Sequence, residues 1–105
     1  GSTGYSLSAG GPILMPHMEN LILNPICPHT LSSRPVILSG SDRITMTVGS
    51  SHAHAVLSID AQEDIALQPG DRVLVRQAPH ALTLVLSGQR SFFQVMREKL
   101  GWVDR

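Results

Sequence analysis

Apolar and polar positions alternate along most of this chain, in short runs cut by dense turn signals. The run Leu21 to Leu23 stops at Asn24-Pro25, and Val36 to Leu38 follows Pro35 and stops at Ser39-Gly40-Ser41-Asp42; both patterns predict strands. Ile44, Met46 and Val48 alternate with Thr45 and Thr47, which sets three apolar side chains on one face of a strand. Ala55, Leu57 and Ile59 repeat the pattern up to Asp60. Gln68-Pro69-Gly70-Asp71 is a turn of the Pro-then-Gly kind, after which Arg72 to Arg76 resumes the alternation with Val73 and Val75 on one face. Leu82, Leu84 and Leu86 predict one more strand before Ser87-Gly88.

The period changes only at the end. Phe92, Phe93, Met96 and Leu100 recur at helical spacing, with Arg97, Glu98 and Lys99 on the other face, Ser91 in place to cap and Gly101 to stop the helix. Strands at short intervals before a terminal helix indicate a mainly β protein: an antiparallel β-sandwich-like domain with a short C-terminal helix.

Composition narrows the function classes. The 105 residues fit a single domain, 1–105, which on size alone should bury one core and roughly two thirds of the surface of its unfolded chain. A hydrophobic share of 42% against 15% charged marks a globular chain, and no apolar run reaches the roughly 18 residues of a membrane span. We therefore expect a soluble protein with no membrane partner. Eight basic residues balance eight acidic ones and aromatics make up 4%, so neither a basic field nor stacking platforms favour nucleic acid. Cys27 is the only cysteine, which rules out an internal disulfide, and no secretory signal is visible, so the expected compartment is the cytoplasm.

Four stretches carry candidate chemistry. Gly1 to Ile13 combines the hydroxyls of Ser2, Thr3, Tyr5, Ser6 and Ser8 with Gly1, Gly4, Gly10 and Gly11. Two readings fit: a cradle that hydrogen-bonds a polar ligand close to the main chain, or a flexible polar tail or expression scar. Leu7, Ile13 and Leu14 favour the first, being apolar anchors that a solvated tail does not need. His52 and His54 share a strand face at metal-binding spacing, yet zinc takes three or four ligands and no second cluster is present, so we read them as ordinary histidines. Cys27 and His29 have the residue types of a thiol and its base, but prolines on both sides of Cys27 indicate a rigid turn rather than a dyad. Asp60, at a strand end before Ala61-Gln62-Glu63-Asp64, either projects into a cleft or opens a turn.

The opening stretch GSTGYSLSAGGPI resembles the glycine-rich signature of the NAD kinases, usually written TPTGSTAYSLSAGGPI. Three further stretches fall in the family's order: Pro25-Ile26-Cys27-Pro28-His29-Thr30-Leu31-Ser32-Ser33-Arg34-Pro35, Asp60-Ala61-Gln62, and Ser91-Phe92-Phe93 through Lys99-Leu100-Gly101-Trp102. Nearly the whole chain is covered. Gly4 stands where Ala is commoner in the family, and Ala61 where Gly is commoner.

The resemblance implies an enzyme that phosphorylates the adenosine 2′-hydroxyl of NAD to NADP with ATP and a divalent, magnesium-type metal. Its family has an N-terminal α/β domain and a C-terminal all-β domain with the nucleotide between them, and this chain resembles the second. By the same resemblance, Thr3, Gly4, Tyr5, Ser6, Leu7, Ser8, Asp60 and Gln62 belong to the NAD site, with Tyr5 stacking or packing on the nucleotide. No catalytic residue is expected within 1–105, because the family's Gly-Gly-Asp-Gly motif, whose Asp is the general base, and its Asn-Glu pair are both absent from these residues. Cys27, His29 and Arg34 fall in a segment that approaches a neighbouring subunit in the family, so partners would include the α/β domain and further copies in a dimer or tetramer. The alternative is a stand-alone, non-catalytic β-sandwich that binds a nucleotide or a protein.

Overall fold

The computed structural model describes residues 1–51 and 54–102. Its elements are a one-turn helix α1 (Tyr5–Ser8), strands β1 (Asn20–Leu23), β2 (Val36–Ser39), β3 (Ile44–Thr47), β4 (Ala55–Ile59), β5 (Glu63–Leu67) and β6 (Arg72–Val75), and helix α2 (Phe92–Leu100). The chain is thus mainly β with a short C-terminal helix, as the patterning predicts. The strands form three two-stranded antiparallel ladders, β1 with β2, β3 with β6 and β4 with β5. The β4–β5 hairpin lies inside the loop that β3 and β6 close, where Thr47 sits opposite Arg72.

Five strands stand within a residue or so of their predicted positions, and the turn between β5 and β6 has the conformation its residues dictate. Gly70 follows Pro69 with φ of 91°, and the Asp71 N–H donates to the Gln68 carbonyl at 3.0 Å. The Asp71 carboxylate in turn accepts from the Gln68 N–H at 2.8 Å. Helix α2 also begins and ends where expected. Ser91 Oγ accepts from the Gln94 N–H while the Gln94 side chain accepts from the Ser91 N–H, and Gly101 closes the helix at φ of 65°.

Three expectations are corrected. Leu82, Leu84 and Leu86 form no strand: residues 81–87 have no ladder partner, and Leu82 and Leu86 are 85% and 83% exposed. Their alternation suits a strand, but a strand also needs a neighbour for its N–H and C=O groups. Conversely, β5 is a strand that the patterning does not predict: the chain reverses within Asp60 to Gln62, so that Asp60 opens a turn, and lays Ile59 opposite Glu63. The third concerns the core. Among the described residues Met96 alone is a buried apolar side chain, and the chain exposes 9121 Å², against about 5,700 Å² for a compact monomer of this length. Its radius of gyration is 16.8 Å, where about 13 Å is usual. Among the described residues the backbones of different ladders do not come within 8 Å of one another, and Val36, Ile37, Met46, Val56 and Leu74 stay exposed. Strands of four or five residues in pairs do not close a core without a second layer. Phe93, expected on the packed face of α2, is likewise exposed.

The reversal between β4 and β5 places Asp60 and Ala61 at φ of 51° and 53°, with the Gln62 N–H donating to the Ile59 carbonyl at 2.9 Å. Ala in this left-handed region costs roughly 1 kcal/mol relative to a residue without Cβ. Ala61→Gly should therefore raise the thermal unfolding midpoint, by an amount corresponding to about 0.5–1 kcal/mol. An unchanged or lower midpoint would show that the turn carries no such strain.

Candidate nucleotide-binding site

The stretch Gly1 to Gly11 is neither an extended tail nor a regular helix. The Gly4 N–H donates to the Gly1 carbonyl at 3.0 Å, and α1 follows for one turn. It stops because Gly10 takes φ of 80° and Pro12 comes next, while the Gly11 N–H turns back to the Ser6 carbonyl at 2.7 Å. Two contacts over long sequence distance hold this loop in place. Ser2 Oγ accepts from the Leu14 N–H at 3.1 Å. Asn24, just past the end of β1, donates through Nδ2 to the Ser6 carbonyl at 3.0 Å and lies 3.3 Å from Ser6 Oγ. Gly11 is buried at this junction, where a Cβ would run into Ser6 and Asn24.

The loop separates two grooves. The larger, of about 760 Å³, is lined by Thr3, Ser6, Leu14, Asn20, Asn24 and Phe92 among others. The smaller, of about 550 Å³, holds Tyr5, Ser8, Asn24, Cys27 and Ser33. Both volumes fall in the range of small-molecule sites. Hydroxyls and amides set among apolar side chains suit a flat, polar-edged ligand such as a nucleoside.

Of the residues expected at the site, Thr3 and Ser6 line the larger groove and Tyr5 and Ser8 the smaller. Tyr5 is 79% exposed, with its ring open to a partner. Gly4 and Leu7 line neither groove; Gly4 precedes the helix and its carbonyl accepts from the Leu7 N–H. Asp60 and Gln62 are at the tip of the β4–β5 hairpin and line neither groove, and Asp60 is part of the turn itself.

Asn20 and Asn24 were not singled out in the sequence. Asn24 reads there only as a strand stop, although an amide on each side of the run Leu21 to Leu23 is a signal that both ends of β1 make side-chain contacts. Asn20 donates to the Leu38 carbonyl at 3.2 Å.

Two of the remaining candidates have local roles. Cys27 takes φ of 47° within its proline-flanked turn. Arg34 folds its guanidinium onto its own loop, donating to the Leu31 carbonyl at 2.7 Å and the Ser33 carbonyl at 2.9 Å. His52 of the His52–His54 pair lies outside the described residues. Among the described residues no three His, Cys, Asp or Glu gather as metal ligands, and no helix is long and apolar enough to cross a membrane. Neither of these two grooves is lined by a carboxylate among the described residues, the oxygen type a magnesium-type cation prefers.

Comparison with known proteins agrees with the signature. Residues 1–87 match the ATP-NAD kinase C-terminal domain. The NAD kinase of Geobacter sulfurreducens is 47% identical over 105 residues, covering all of this chain and 37% of the relative. That of Heliobacterium modesticaldum is 48% identical over 100 residues, covering 95% of this chain and 35% of the relative. That of Aquifex aeolicus is 43% identical over 102 residues, covering 97% and 37%. The chain thus spans a little over a third of the length of the curated relatives it matches. A signature loop pinned between two grooves and a family match over residues 1–87 lead to one assignment: the chain belongs to the ATP-NAD kinase C-terminal domain family.

Proposed function

We propose that this chain is the NAD-binding part of an enzyme that transfers the terminal phosphoryl group of ATP to the adenosine 2′-hydroxyl of NAD, giving NADP. The observation that carries the reading is the signature loop, whose Thr3, Tyr5, Ser6 and Ser8 line adjoining grooves. Phosphoryl transfer depends mostly on positioning and on electrostatic stabilisation of the transferred group. These residues serve the first task, binding and orienting the dinucleotide through hydroxyls, amides and apolar contact. The general base, absent from residues 1–105 with the Gly-Gly-Asp-Gly motif, would come from an N-terminal α/β domain of the same enzyme. Uncovered Ile26 and Leu31 in the Pro25 to Pro35 segment support assembly into a homo-oligomer, in the cytoplasm, where NAD and ATP are available. A stand-alone binding module gains no support from relatives that carry this segment as one part of an NAD kinase.

The test is a chimera in which this chain replaces the matching segment of the Geobacter sulfurreducens NAD kinase. ATP-dependent formation of NADP is expected, and an inactive but folded and soluble chimera would contradict the reading. In that chimera, Tyr5→Ala and Gln62→Ala should each weaken NAD binding by about 1–3 kcal/mol, through loss of a ring contact and of a hydrogen bond, with the fold retained. Gln62 would reach the ligand from the hairpin tip. Titration calorimetry with NAD measures both, and affinity unchanged in both variants would remove these residues from the site.

A further inference from the structure

We infer that Asn24 is a positioning residue for NAD: it fixes the signature loop and turns the Ser6 hydroxyl into an oriented donor. The inference rests on the proposed NAD site and adds to it a residue outside the signature.

Asn24 lies eighteen positions from Ser6 in sequence, yet its Nδ2 is 3.0 Å from the Ser6 carbonyl and 3.3 Å from Ser6 Oγ. The amide orientation is set by chemistry, since a carbonyl oxygen requires a donor and Nδ2 is the donor of the pair. Ser6 Oγ then accepts from Nδ2, and its own proton must point elsewhere. Ser6 and Asn24 both line the larger groove, so that proton is available to an acceptor on a molecule bound there. The Ser6 carbonyl is meanwhile held from two sides, by Asn24 and by the Gly11 N–H at 2.7 Å. That double hold fixes the single turn of α1, which has no side-chain cap of its own. Among the described residues Asn24 Oδ1 is buried and has no hydrogen-bond partner, so the amide is held by its Nδ2 end alone. Asn24 also borders the groove of Tyr5 and Ser8. One amide therefore stands between the two sets of signature side chains and sets their spacing.

The experiment measures steady-state kinetics of the chimera described above, with Asn24→Leu, Ser6→Ala and the double variant. Asn24→Leu should raise KM for NAD about tenfold, with kcat within about threefold of the parent and KM for ATP unchanged. Because Asn24 acts partly through the Ser6 hydroxyl while its hold on the residue-6 carbonyl survives in Ser6→Ala, the same substitution in that background should raise KM by less than it does alone. Asn24→Asp keeps the shape but sets an acceptor against the Ser6 carbonyl, and should reproduce the KM effect if the Leu variant does not fold. Unchanged KM for NAD in the folded variants, equal effects in both backgrounds, or a loss confined to kcat would overturn the assignment. If the parent chimera makes no NADP, the proposed activity itself fails; if it does and Asn24 variants behave as the parent, only the role of Asn24 fails.

Discussion

The 105-residue chain by itself should form no NADP from NAD and ATP, and addition of the α/β part of an NAD kinase should restore turnover. Residues 1–105 contain no Gly-Gly-Asp-Gly motif, and neither groove is lined by a carboxylate to deprotonate a ribose hydroxyl. General-base assistance contributes about 10²–10⁴-fold, and the positioning of ATP is lost with it. The uncovered surface points the same way. The chain exposes roughly 3,400 Å² more than a compact monomer of its length, and apolar side chains of the ladders such as Ile37, Val56 and Leu74 are among what is uncovered. Coupled assay of the purified chain, alone and mixed with the α/β part, reads both statements. NADP formation by the chain alone would overturn the division of labour.

Gly11→Ala should be the most damaging single substitution in the signature. A Cβ there would fall against Ser6 Oγ and 2.7 Å from both Asn24 Nδ2 and the Ser6 carbonyl. Side chains can swing away, but the carbonyl moves only with the turn of α1. Crowding of this kind costs about 1–3 kcal/mol, and relief by displacement of the loop would carry Ser6 and Tyr5 with it. We expect a lower thermal midpoint of the chimera together with a KM for NAD raised at least tenfold. Parental values for both quantities would show that the loop yields at no cost.

What was legible in the sequence follows from the range of the forces involved. Ser91, Gln94 and Gly101 define α2 by contacts within a few residues, and Pro69-Gly70 defines its turn in the same way, so both could be read directly. β5 was hidden because Glu63 and Asp64 mask the alternation of Ile65 and Leu67; only the partner β4, four positions away at the nearest, reveals it. Leu82 to Leu86 failed for the opposite reason, since the pattern was present but its partner was not. At the site, four residues of the signature, Thr3, Tyr5, Ser6 and Ser8, line the grooves, while Gly4 and Leu7 line neither. The signature said nothing of Asn24, whose contact to Ser6 spans eighteen positions and follows from where β1 ends.

The nesting of one hairpin inside another pair sets an order of assembly. β4 and β5 meet across three residues, whereas β3 and β6 must close a loop that contains the whole hairpin. Closing a short loop takes far less time and entropy than closing a long one. The inner pair should thus form first, and its formation shortens the span that β3 and β6 have left to search. Ala61, at φ of 53° in the inner turn, then acts on rate as well as on stability: with glycine there, stopped-flow refolding should accelerate while unfolding changes little, and the reverse partition would place the β4–β5 turn late in folding.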